Sequence, residues 1–134
     1  MPSCVLRVAG SAVKIKRFLS ECSLEPSRVY WRGDPRTPKS RGAVKTSGFN
    51  IVMSGSYGQS IGKQAREALA FLRMHRTDLL LLKSMRLKYS VVDFGLLDLA
   101  TQDHPWPSYR IPAAFVEAAG ELGLEVALSF YGKP

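Results

Sequence analysis

Two cysteines in 134 residues, Cys4 and Cys22, are too few for a disulfide framework and lack the close spacing of a zinc or redox motif. Both read as small buried hydrophobes of a chain kept in a reducing compartment. Long apolar runs are missing too: the longest aliphatic stretch, Leu79 to Leu82, falls far short of the roughly 20 residues that cross a bilayer. Arg7 interrupts the start before an apolar signal-peptide core forms, so the chain is expected in the cytosol and not in a membrane. Histidine is scarce, and neither His75 nor His104 has a cysteine or second histidine at a ligand spacing, so no metal site is expected. A phosphate-loop lysine pattern and a dinucleotide fingerprint are both lacking, and no cofactor is expected.

Acidic residues are the remaining shortage, 11 against 19 lysines and arginines, for a net charge of +8. Apolar residues make up 46% of the chain and charged ones 22%, the balance of a globular protein. Its length suits one domain able to bury about 68% of the surface its unfolded form exposes.

Periodicity sets out the elements. Cys4, Leu6 and Val8 alternate with Val5, Arg7 and Ala9 as a strand with one core face. Gly10 stops it, Ser11 is placed to cap a helix, and Ile15, Phe18, Leu19 and Cys22 form that helix's apolar stripe. Arg28 to Arg32 and Phe49 to Met53 alternate again and predict a hairpin with a long tip. In the first of these strands Trp31 and Val29 are assigned to the core and Tyr30 to the outer face beside Arg28 and Arg32. After a Gly/Ser-rich connection, Ile61, Ala65, Ala68, Leu69 and Leu72 mark a long helix. Leu87, Tyr89 and Val91 mark a strand, and Asp93 to Pro107 read as a long connection. Pro112 and Gly123 bracket a last helix, and Leu124 to Phe130 a last strand, expected to lie centrally because it has neither proline nor lysine. Ser23-Leu24-Glu25 and Gly123-Leu124-Glu125 each follow a strand and a helix, which suggests two strand-helix-strand halves. The expected architecture is α+β: a ferredoxin-like antiparallel sheet with about three helices on one face.

Charge is concentrated in one place. Arg28, Arg32, Arg36, Lys39, Arg41 and Lys45 surround Tyr30-Trp31 and a Gly33-Asp34-Pro35 turn, so six cations against Asp34 supply five of the net +8. These residues, with Tyr30 as a stacking surface, are the expected binding site for an anionic partner.

With those residues in view, the chain resembles the bacterial domain of unknown function 4279 family. The matching pieces are Leu6-Arg7-Val8-Ala9-Gly10, Leu24-Glu25-Pro26-Ser27 leading to Arg32-Gly33-Asp34-Pro35, Ser47-Gly48-Phe49, and the helix from Ile111-Pro112 to Leu124. The likeness runs nearly end to end and implies a small α+β domain without implying an activity. Ser11 departs from the acidic residue common after the first strand, and Val44 from the tryptophan common after the basic loop.

Other constellations carry less. His75, beside Arg73 and Arg76, suits the C-terminal end of the long helix. Asp93, Asp98 and Asp103 match no calcium loop and read as surface acids. Asp93-Phe94-Gly95 matches a kinase tripeptide in a chain lacking the rest of that signature. Gly55, Gly58 and Gly62 near Lys63 read as a flexible turn. The expectation is a non-enzymatic binding or immunity-type accessory module that meets an acidic protein partner, with nucleic acid as the alternative partner. An enzyme built on Asp98, Asp103 and His104 ranks third. The oligomeric state stays open.

Overall fold

A computed structural model describes residues 3–36, 42–56, 61–97 and 108–131. The first strand, β1 (Cys4–Gly10), leads into helix α1 (Ala12–Glu21), whose Ser11 cap accepts the Lys14 amide at 3.3 Å. Next come β2 (Arg28–Tyr30) and β3 (Ser47–Ser54), then helices α2 (Ile61–Met74) and α3 (Arg76–Ser84). β4 (Tyr89–Leu97), α4 (Ala113–Glu121) and β5 (Glu125–Tyr131) complete the order.

The strands form one sheet in the order β2-β3-β1-β4-β5. The first four pair antiparallel, whereas β5 lies parallel to β4, so the sheet is mixed and not wholly antiparallel as expected. The reason is local: α4 carries the chain back along the sheet between β4 and β5, and such a crossover returns a parallel strand. It also places β5 at an edge, correcting its expected central position; an alternating apolar pattern without lysine or proline does not by itself give a strand two neighbours.

Alternate residues of β1, β3 and β4 face the helices. Leu6, Val8, Phe49, Ile51, Val92, Phe94 and Leu96 join Ile15, Phe18, Ala65, Leu72, Leu79, Leu82, Phe115 and Ala119 in one buried cluster. Within it Phe18 stacks on Phe49 at 5.5 Å, and Phe94 meets Phe115 edge-on at 5.1 Å. The opposite sheet face carries Arg7, Asn50, Val52, Val91 and Asp93 and has no helix over it among the described residues.

Among the described residues four helices form where about three were expected. α3 is the extra one: Leu79 and Leu82, one turn apart, enter the core, and the run that contains them had shown no amphipathic stripe. His75 is the joint between α2 and α3, its ring 4.5 Å from Phe71 and its carbonyl accepting the Leu79 amide. The expected connection from Asp93 is shorter by five residues, because β4 continues through Leu97. Gly123 adopts φ +66° after α4, as its place beyond the helix end required. Lys83 packs against it and donates to the Glu121 carbonyl at 2.8 Å, placing a cation at the α4 C-terminus.

Candidate functional site: a cationic cleft beside the start of α1

Beyond β2 and β3 the two chain arms continue as a narrow ladder. The Gly33 amide donates to the Val44 carbonyl, the Val44 amide to the Asp34 carbonyl, and the Arg36 amide to the Gly42 carbonyl at 3.1 Å. Gly33 and Gly42 take φ of +94° and +78°, left-handed values that a side chain would strain. The Asp34 carboxylate accepts the Trp31 amide at 2.8 Å while the Asp34 amide donates to the Trp31 carbonyl at 2.9 Å, and the two bonds close the turn.

At the base of this arm the Arg32 amide donates to the buried Ser47 hydroxyl at 3.0 Å. That bond sets Arg32 and Lys45 across from each other, facing the start of α1. Gly10 ends β1 in close contact with Leu87, leaving the backbone at Ser11 and Ala12 open on the same side. Arg86, Leu87 and Lys88, between α3 and β4, form the far wall.

The result is a cleft of about 510 Å³ whose rim carries Lys14, Arg32, Lys45, Arg86 and Lys88, with no acidic side chain in its lining. None of the five has an acidic partner among the described residues; Arg7 pairs with Asp93 at 3.0 Å and Arg17 with Glu21 at 3.3 Å, both elsewhere. The cleft also holds the first turn of α1, where backbone amides and the helix dipole favour negative charge.

Arg86 is the one non-glycine described residue with a left-handed backbone, φ 50°. An L-residue pays roughly 1–2 kcal/mol there, which glycine avoids. A cationic side chain thus occupies a position whose backbone suits glycine better.

Two other depressions hold acids as well as cations. One, on the open sheet face, sets Arg7 beside Asp93 and Glu125; the other sets Arg73 and Arg76 against Glu117 and Glu121. Among these three, only the cleft at Ser11 is lined by cations without an acid.

The eight residues expected from sequence fare differently. Arg32 and Lys45 line the cleft. Arg28 is exposed on the short edge strand β2, and Arg36 is half-buried on the arm. Asp34 is engaged with the backbone, and Lys39 and Arg41 lie outside the described residues, as do Asp98, Asp103 and His104.

Tyr30 shares the outer sheet face with Arg28, as expected, but is not a free stacking surface there. It lies half-buried over Gly48, its hydroxyl donating to the Val8 carbonyl at 3.4 Å. Burial, followed by a hydrogen bond with Tyr89 and that residue's charge, pushes its pKa up to about 12, against the opposing influence of Arg7 and Arg28. Trp31 packs against the core with the Lys16 ammonium 5.4 Å from its ring centre, while Val29 is exposed because β2 is short and at the edge. Asp93 is likewise not a surface acid: it is buried, paired with Arg7 and accepting the Ser129 hydroxyl at 2.6 Å.

Lys14, Arg86 and Lys88 were not singled out from sequence. The one local sign was the predicted Ser11 cap, which places Lys14 in the first helical turn; nothing local links residue 14 with residues 86 and 88.

Cys4 is buried and Cys22 half-buried, both as free thiols. Burial, with the Asp93 charge adding, pushes the Cys4 thiol up to about 12. Among the described residues no group of three or more His, Cys, Asp or Glu stands close enough to hold a metal ion, and no helix is long and apolar enough to cross a membrane. Protein-family models, curated proteins and solved structures offer no match to this chain.

Proposed function

We propose that this protein is a non-enzymatic binding module that receives a carboxylate-rich segment of an acidic protein partner in the cleft at Ser11. The observation that carries this reading is the convergence of Lys14, Arg32, Lys45, Arg86 and Lys88 from separate parts of the chain without a counter-charge among the described residues. Cations held apart by the fold at a helix start give up little solvation until an anion arrives.

A protein partner is favoured over nucleic acid by the aromatics. Single strands are held largely by stacking on exposed rings, and Tyr30 is engaged with Val8 and Tyr89 while Trp31 packs on the core. Membership of the domain of unknown function 4279 family, with an immunity-type or accessory role in the bacterial cytosol, belongs to the same proposal. So does the reading of β1 to β4, with α1 and α2, as a ferredoxin-like unit extended by α4 and β5.

Fluorescence polarisation with a labelled oligoglutamate peptide, beside a single-stranded oligonucleotide of equal charge, tests the reading. The triple variant Arg32→Ser/Lys45→Ser/Arg86→Ser should weaken peptide binding about 10- to 100-fold, at roughly 0.5–1 kcal/mol for each exposed charge contact removed. An unchanged affinity, or an intact protein that prefers the oligonucleotide at every salt concentration, rejects it.

A further inference from the structure

We propose that the outer edge of β5 is the contact through which two copies of this chain pair, antiparallel about a two-fold axis, into one continuous sheet. This inference does not depend on the cleft. β5 bonds to β4 from Val91↔Glu125 to Leu97↔Tyr131 without a register shift, and among the described residues nothing pairs its other side. Sheet edges are ordinarily defended by lysine, proline, a bulge or brevity. Glu125–Tyr131 has none of these, whereas the opposite edge, β2, is three residues long and carries Arg28.

The side chains add to the backbone argument. Val126, Leu128 and Phe130 share the helix-side face of β5 and remain 38%, 41% and 56% exposed. An axis perpendicular to the sheet preserves its faces, so this apolar row meets the same row of the second copy. Such a surface is complementary to itself.

The edge is complementary to itself, and charge allows a second copy there: of the three glutamates from Ile111 to Tyr131, Glu117 and Glu121 face Arg73 and Arg76, and pairing centred on Leu128 sets Glu125 opposite Tyr131. A chain of net +8 repels its like almost everywhere, yet no lysine or arginine occurs from Ile111 to Tyr131. The cationic cleft lies off the Lys88 end of β4, whereas β5 begins level with Val91 and runs towards Leu97. Pairing through β5 therefore keeps the two clefts apart, and a strongly acidic partner would be drawn to the cleft before this edge.

Sedimentation equilibrium of the intact chain over a concentration series is the test. The mass should rise from that of one chain to twice that value, and Leu128→Lys/Phe130→Lys should hold it at one, with an unchanged melting temperature at low concentration. Should that variant fail to fold, hydrogen exchange on the unsubstituted protein gives the answer: β5 amides should slow as concentration rises while β2 amides do not. A single-chain mass at every concentration, a dimer that survives the double substitution, or β5 exchange indifferent to concentration overturns the proposal.

Discussion

Replacing Arg86 by glycine separates folding from binding. At φ 50° the arginine stores about 1–2 kcal/mol that glycine would release. The more flexible unfolded chain takes back roughly 0.5–1 kcal/mol. The folded state should therefore gain about 0.5–1 kcal/mol, a rise of about 2–4 °C in melting temperature for a chain of this size. Arg86 is also one of five cations around the cleft, and losing its contact should weaken oligoglutamate binding about two- to fivefold. The two effects have opposite signs, a combination that a purely structural residue does not produce. Arg86→Ala is the control: it keeps the left-handed backbone strained and removes the charge, so it should weaken binding with no gain in stability. Calorimetry with fluorescence polarisation on the same preparations reads both quantities. An Arg86→Gly protein that melts lower, or that binds the peptide as tightly as the original, refutes the reasoning.

Three further outcomes follow from the geometry. Asp93→Asn, which removes the charge accepting from Arg7 and Ser129, should cost about 1–2 kcal/mol in denaturant unfolding, the Arg7 end being partly exposed; a neutral effect would show the pair to be idle. The Tyr30 pKa is raised in the fold from 10.0 to about 12, so the neutral hydroxyl stabilises the folded state fully below pH 10 and loses that effect as pH climbs towards 12. Tyr30→Phe should flatten this alkaline loss, and identical pH–stability curves for the two proteins would contradict it. Ellman's reagent should meet half-buried Cys22 well before Cys4, which should react only on unfolding; equal rates for the two thiols in Cys4→Ala and Cys22→Ala proteins would contradict the burial of Cys4.

Local signals in the chain translate into structure wherever one element decides the outcome. Ser11 caps α1, Gly123 turns out of α4, and the alternation at Leu6 and Val8 gives a one-faced strand, because each depends on residues a few positions apart. Neighbour relations are harder to read. The apolar alternation of β5 would look the same at the centre of a sheet as at its edge, and the parallel crossover through α4 decided between them. Asp93 looks like a solvated acid until the register places Arg7 and Ser129 beside it.

The candidate site follows the same logic. The basic loop was legible as charge, and two of its members, Arg32 and Lys45, reach the cleft. Its aromatic pair takes the faces the alternation gave, Trp31 to the core and Tyr30 outward, but the missing side chain at Gly48 lets the Tyr30 ring lie down towards Val8. Lys14, Arg86 and Lys88 enter only through the β1–β4 pairing, which sets Ala9 opposite Tyr89 and so brings the two loops together.

The most direct test of the cleft is an amide-resolved NMR titration of the intact protein with oligoglutamate. Shifts concentrated at Ser11, Ala12, Lys14, Ser47 and Leu87 are the predicted result. Shifts centred instead on Tyr89, Val91 and Ala127 of the open sheet face, or none at saturating peptide, would contradict it.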